Sequence, residues 1–304
     1  MRDYSLVIRK LQEAGCGCIE NEPMAAHTSF NIGGPADLFI NAPNKDALKS
    51  ALAILKNNNV PVFVLGNGSN LLVSDLGIEG AVIRMTGDFS TPKLISAVDI
   101  QCGAGAKLAS LCSFALENSL SGMEFAWGIP GTVGGAAYMN AGAYDSMMSN
   151  VVTVCNHIDM DGNEGSFTID QLEYDYRKSV YMGTDNIITD VSVHLNPSDP
   201  SAIRARMDEL MYLRKSKQPL EYPSAGSVFK RPPGYYAGAL VDQCGLRGKR
   251  VGGAMVSEKH AGFIINAGGA TCSDVRQLIE EVRNEVFLRF SVKLETEIKT
   301  VGRL

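Results

Sequence analysis

GIPGTVGGAAYMNAGAY, residues 128–144, decides how this chain of 304 residues is read. Five glycines, one proline and several alanines leave little side chain with which to build a core. They leave backbone N–H groups bare enough to meet a ligand. A run of such donors makes a concave anion site, and the ligand that most often fills one is a phosphate or diphosphate. A second run, GNGSN at residues 66–70, follows the apolar stretch 60–65. Glycine loops also form ligand-free tight turns, but two such runs in one chain predict a large dinucleotide. Neither run is a Rossmann fingerprint. The third glycine of G-x-G-x-x-G is replaced by Leu71 after Gly66 and Gly68, and by Leu108 after Gly103 and Gly105. GLRGKR at 245–250 is too short for a phosphate-binding G-x-x-x-x-G-K-[ST] loop and ends wrongly. A dinucleotide is therefore expected in another fold.

Composition narrows the class. With 45% apolar and 20% charged residues the chain is an ordinary globular one, and its length suggests two or three domains. A net charge of -5 argues against a nucleic-acid surface. Seven cysteines without a C-x-x-C pair give no disulfide framework and fit a reducing compartment. Cys16 and Cys18 beside His27 supply too few ligands for a closed zinc site, so no metal is expected. Arg9, Lys10, Gln12 and Glu13 interrupt every apolar run near the N-terminus, and no stretch is long enough to span a bilayer.

Periodicity predicts a helix over 5–14 and a second, capped by Asn44, through 57 with Leu48, Ala51, Leu52 and Leu55 on one face. Strands are expected at 61–65, 71–74, 81–85 and 97–102, then a helix from 108 to 118. Residues 151–160 and 164–169 flank Asp161-Gly162-Asn163 as a hairpin, and 187–195 is a further strand. NPSDP at 196–200 marks the clearest boundary and opens a helix to about 214. Beyond it lie a strand at 262–266, a helix over 273–289 capped by the TCSD signature, and a closing strand in which Val292, Leu294, Thr296 and Ile298 alternate with charge.

Six motifs then follow one another between residues 28 and 298: TSFNIGGPAD at 28–37, GNGSN at 66–70, the 128–144 stretch, YRKS at 176–179, YPSAGSVFKRP at 222–232 and LETEI at 294–298. In these motifs the chain resembles the UDP-N-acetylenolpyruvoylglucosamine reductases, flavin enzymes of cell-wall precursor synthesis, in the form lacking the extra substrate-covering loop. The resemblance implies an α+β fold: a two-subdomain FAD-binding fold of the vanillyl-alcohol-oxidase/p-cresol-methylhydroxylase type, 1–86 and 87–198, plus a C-terminal α+β substrate domain, 199–304. It implies FAD bound by Gly66, Asn67, Gly68, Ser69 and Asn70 and by Gly131, Thr132, Gly134, Gly135, Asn140 and Gly142. No histidine lies in the 66–70 loop, which points to a non-covalent flavin. NADPH is the implied co-substrate and an enolpyruvyl UDP-sugar the substrate, in a cytoplasmic monomer that binds neither nucleic acid nor membrane.

The same resemblance assigns catalysis to Ser227, Arg177 and Glu297, none of which stands out alone. Hydride addition at the vinyl terminus pushes negative charge onto the adjacent carbon and its carboxylate. Arg177 is placed to hold that carboxylate through its fork, and a protonated Glu297 to share the charge. Ser227 is the proton donor to carbon. Lys217 is expected on the substrate diphosphate, Arg231, just beyond the serine, as a further cation for the anionic substrate, and Tyr144 near the sugar, whereas His260 is expected to be structural. Asn67, Trp127 and the pair Asp145-Ser146 depart from the glycine or small residue common at their positions in relatives. Two other classes share some features: a flavin oxidase or dehydrogenase of the same fold acting on an alcohol, which needs a base instead of the Ser, Arg and Glu set, and a non-catalytic nucleotide-binding module.

Overall fold

The computed structural model describes residues 3–303. The chain forms two compact units: residues to Glu20, 38–67 and 80–213 in the first, and 21–37, 68–79 and those from Arg214 on in the second. The expected division instead set its last boundary at 198/199.

In the first unit, helix α1 (Ser5–Glu13) buries Val7 and Leu11, and α2 (Lys45–Asn57) buries Leu48, Ala51, Leu52 and Leu55 on the face predicted for them. Asn44 caps α2 by accepting the Ala47 N–H at 2.9 Å, which satisfies one of the donors a helix start leaves over. Val62–Leu65 pairs in parallel with Ile78–Met85 at one edge of a four-stranded sheet, the link between them passing through Leu71–Val73 of the second unit's sequence rather than through a helix. A five-stranded antiparallel sheet follows, in the order Glu164–Thr168, Val152–Ile158, Ile187–His194, Asp99–Gly103, Pro92–Leu94. The hairpin at 158–164 closes on Asp159, whose carboxylate accepts the N–H groups of Asp161 and Asn163 at 2.8 and 2.9 Å. Helix α3 (Leu108–Glu117) turns Leu108, Leu111, Cys112 and Ala115 inward as expected.

The glycine-rich stretch holds an unpredicted element, helix α4 (Val133–Met139), capped by the Thr132 hydroxyl and ended by Asn140 at φ 44°. Val133, Ala136 and Ala137 are at most 3% exposed and join the core of the first unit, correcting the expectation that this stretch is too poor in side chains to build one. Small residues suit it, because the helix lies close to its neighbours: a Cβ added at Gly134 would sit 2.7 Å from the Cβ of Ala104. Helix α5 (Pro200–Lys217) starts at the predicted Pro200, with Asp199 accepting the Ala202 N–H at 3.0 Å. Its Ile203 and Met207 are buried in this same core.

The second unit has its own core, in which Phe30, Ile32 and Leu72 join residues from 225 to 298. Its antiparallel sheet runs Ser224–Ser227, Phe263–Asn266, Ala254–Val256, Arg250–Val251. Helix α6 (Ala237–Gln243) and helix α7 (Cys272–Phe290) accompany it, the latter with the predicted capping box from Thr271 and with Val275, Leu278, Ile279, Val282 and Val286 buried. The closing strand differs from expectation. Leu294 and Ile298 are buried as the alternation requires, but pairing over 291–298 is limited to a bridge between Thr296 and Phe229, and the regular strand is Lys299–Val301, parallel to Leu71–Val73. Its partner at 228–230 is itself irregular, which stops the ladder from extending.

Candidate active site

The two glycine bends meet within the first unit. A Cβ on Gly66 would lie 2.8 Å from the Thr132 hydroxyl, and the Asn67 amide donates to the Pro130 carbonyl at 2.7 Å. Asn67 therefore ties one bend to the other, a role that a glycine at this position lacks. The expected row of free donors over 131–135 is corrected by the fold. Gly131 donates to Ile129, Val133 to Ala106 and Gly134 to Ala104, each at 2.9 Å, and Gly135 donates to the Thr132 hydroxyl at 3.2 Å. A short helix laid against a strand end spends its first N–H groups there. Among the described residues, the backbone N–H groups of Asn67, Gly68 and Ser69 donate to no protein acceptor. Gly68 stands at φ 61° with the His27 carbonyl where a Cβ would go, so no other residue fits. The 66–69 bend thus keeps the anion-binding character read from the sequence, and it fits a diphosphate.

Asn140 was expected to bind cofactor, and its side chain is not available for that. It is 1% exposed, donates to the Asp175 carbonyl at 3.0 Å and accepts the Ser149 N–H at 2.9 Å. Gly142 begins a hairpin whose register pairs Ala143 with Ser146 and leaves Tyr144 and Asp145 in the turn, both left-handed at φ 52° and 61°. This is the double left-handed turn that usually asks for glycine, so Asp145 departs from relatives without altering the bend. The Tyr144 hydroxyl donates to the Leu210 carbonyl at 3.0 Å, which leaves its ring and the acceptor side of its oxygen for a ligand. Arg177 is half-buried with φ 55°, a conformation costing about 1–3 kcal/mol that the surroundings must enforce. Its guanidinium donates to the Gly142 carbonyl at 3.0 Å and lies 5.0 Å over the Tyr176 ring. Ser179, quoted in the YRKS motif but given no role there, is buried and donates to the Tyr138 carbonyl at 2.6 Å. Nothing in its local sequence marks that contact, since its partner lies 41 residues away.

The second unit brings Ser227 and Glu297 together. Gly226 at φ 79° breaks the register between Ser224 and Ser227, and the exposed Ser227 emerges just past that irregularity. The next residue, Val228, accepts the Glu297 N–H at 2.7 Å, and the Lys230 N–H donates to Glu295 at 2.9 Å. The two candidate catalytic residues are therefore one hydrogen-bonded step apart. Asn70 belongs to the same neighbourhood: its amide donates to the Glu297 carbonyl at 3.3 Å and its carbonyl accepts the Lys299 N–H at 2.9 Å. Arg231 is exposed with its guanidinium 4.0 Å from the centre of the Tyr236 ring. Lys217 is exposed in the last turn of α5. His260 is structural, as expected. Its Nδ1 accepts the Gly262 N–H at 3.1 Å, its ring packs edge-on against Phe263, and burial pushes its pKa below the ordinary imidazole value. Among the described residues no group of His, Cys, Asp and Glu is placed to hold a metal ion.

Residues 36–165 match the FAD binding domain family, and residues 218–301 match the C-terminal domain of UDP-N-acetylenolpyruvoylglucosamine reductase. A UDP-N-acetylenolpyruvoylglucosamine reductase of Clostridium botulinum is 46% identical over 284 residues, covering 93% of this chain and 92% of that protein. One from Clostridium perfringens is 45% identical over 283 residues, with the same coverage of 93% and 92%. The crystal structure of UDP-N-acetylenolpyruvylglucosamine reductase from Thermus caldophilus superposes with a TM-score of 0.81 at 36% identity, over 94% of this chain and 98% of that one. With a fold and a sequence shared along nearly their whole length, this chain belongs to the UDP-N-acetylenolpyruvoylglucosamine reductase family.

Proposed function

We propose that the chain catalyses NADPH-dependent reduction of the enolpyruvyl ether of UDP-N-acetylglucosamine to UDP-N-acetylmuramate, in peptidoglycan precursor synthesis. The observation that carries this reading is 46% identity across 93% of the chain to reductases of that name. Agreement of that extent sets aside both the alcohol oxidase and the non-catalytic module.

FAD, when bound, supplies two-electron hydride chemistry between NADPH and the vinyl group. The N–H groups of Asn67, Gly68 and Ser69 would hold its diphosphate. Gly131 contributes an open backbone face, since a Cβ there would meet nothing within 4 Å. Arg177 holds the substrate carboxylate and the charge that spreads onto it as hydride arrives, with Glu297 sharing that load. Ser227, exposed beside a backbone irregularity, gives its hydroxyl proton to the carbon next to the carboxylate. Lys217 and Arg231 carry positive charge for the UDP diphosphate, and Tyr144 offers its ring to the sugar.

We assign residues 1–86 and 87–198 to the two FAD-binding subdomains and 199–304 to substrate binding, in a monomer acting in the cytoplasm. The free state of all seven cysteines fits a reducing compartment. Anaerobic NADPH is expected to bleach the purified yellow protein, and the enolpyruvyl sugar to restore its colour with stoichiometric formation of UDP-N-acetylmuramate. A bleached protein that the sugar leaves bleached would overturn the assignment.

A further inference from the structure

The turn that carries Arg177 lies at the surface, with Asp175, Tyr176 and Lys178 all exposed, yet its hydrogen bonds lead to one buried place. Asp175 and Lys178 exchange both backbone hydrogen bonds, at 3.2 and 3.1 Å, leaving Tyr176 and the left-handed Arg177 as the two central residues. The Asp175 carbonyl, at the start of the turn, accepts from Asn140 at 3.0 Å. Just past the turn, Ser179 donates to the Tyr138 carbonyl in α4 at 2.6 Å. The guanidinium itself donates to the Gly142 carbonyl at 3.0 Å. Both ends of the arginine, backbone and fork, are therefore referenced to the last turn of α4 and the hairpin after it. Asn140 also accepts the Ser149 N–H at 2.9 Å beyond that hairpin, so one amide joins the hairpin to the turn.

Asn140 and Ser179 are each 1% exposed, so neither touches a ligand. Apart from a 3.5 Å contact of the Asn140 amide with Met147 Sδ, their bonds run to backbone, and buried polar side chains bonded in this way select one backbone conformation among several. Here the selected conformation is one an arginine does not adopt by preference.

We propose that Asn140 and Ser179 are positioning residues for Arg177, holding its turn against α4 so that the guanidinium stands where the substrate carboxylate arrives. The proposal rests on Arg177 binding that carboxylate. The same helix that borders the glycine bends then also sets the place of the charge that receives the substrate acid.

The test uses the FAD-loaded full-length protein and isothermal titration with two ligands, UDP-N-acetylmuramate and UDP-N-acetylglucosamine, which lacks the carboxylate. The ratio of their affinities isolates recognition of the acid, and overall damage to the fold moves both ligands together. Arg177→Ala should lower this ratio roughly tenfold or more. Asn140→Ala and Ser179→Ala should each lower it comparably, and Ser179→Thr, which keeps the hydroxyl, should restore it. Adding Ser179→Ala to Arg177→Ala should lower it no further, since both act through one group. A ratio preserved in Asn140→Ala and Ser179→Ala beside a collapsed one in Arg177→Ala overturns the positioning proposal. A ratio preserved in Arg177→Ala itself overturns instead the role given to the arginine. Should Asn140→Ala fail to fold, the Ser179 pair decides.

Discussion

Gly131 and Gly134 stand three residues apart in the same motif, and the structure gives them different reasons to be glycine. At Gly134, inside α4, alanine gains about 1 kcal/mol of helix propensity. Its Cβ, however, would lie 2.7 Å from the Ala104 Cβ and 3.1 Å from the Ala104 carbonyl oxygen. Carbon atoms prefer about 3.5–4.0 Å, so helix and strand must part by roughly 1 Å, and overpacking of that kind costs about 1–3 kcal/mol. Gly134→Ala should therefore lower the stability of the apoprotein by about 1 kcal/mol net. At Gly131 an added Cβ meets no atom within 4 Å, and the residue is not among the left-handed glycines. Gly131→Ala should leave the apoprotein as stable or raise its stability by about 0.4–1 kcal/mol, because alanine restricts the unfolded chain. If the open face at Gly131 is where the cofactor lies, the same variant should bind FAD about tenfold more weakly, equivalent to about 1.4 kcal/mol. Urea unfolding of the apoproteins measures the first pair of effects, and flavin fluorescence quenching on titration measures the second. An apo Gly131→Ala destabilised as much as Gly134→Ala would refute the geometric argument. Unchanged FAD affinity in Gly131→Ala would refute the placement of cofactor at that face.

Further outcomes follow from single features. Ser227→Ala should leave reduction of the bound cofactor by NADPH at the wild-type rate and slow its reoxidation by the enolpyruvyl sugar roughly 10²- to 10⁴-fold; equal loss in both stopped-flow half-reactions would remove the serine from its role. Asn44→Ala should cost about 1 kcal/mol in urea unfolding, since only its side chain caps the Ala47 N–H, and a value near zero would contradict that. Burial holds His157 and His260 below the ordinary imidazole value of 6.5. The unfolded chain then binds more protons than the folded one as pH falls through that value. Their stabilisation is complete above about 6.5 and is lost below it. A urea midpoint no lower at pH near 5.5 than near 7.5 would oppose this reasoning. Burial also pushes the thiols of Cys102, Cys112 and Cys155 up to about 12 and those of Cys18 and Cys272 up to about 11. These five thiols, four buried and Cys18 half-buried, should resist a thiol reagent at pH near 8 until the protein is denatured, and rapid labelling of the native protein would contradict this.

Much of this protein was legible in its residues alone. The stripes of α2, α3 and α7, the caps Asn44 and Thr271, and the hairpin closing around Asp159 rest on contacts within a few positions, so local spacing reports them. The ordered motifs from 28 to 298 were likewise enough to place the chain in its family. Tertiary structure decided what those motifs do. Two donors of the 128–144 stretch, Val133 and Gly134, are bound to Ala106 and Ala104, and the Asn140 side chain, expected at the cofactor, holds Asp175. It also decided that the closing segment pairs with an irregular partner and that Ile203 and Met207 join the first core. A periodic pattern states which side of a segment is buried and which backbone is bare. It carries no information on the partner, because a donor's acceptor is chosen by segments that come close only when the whole chain has folded.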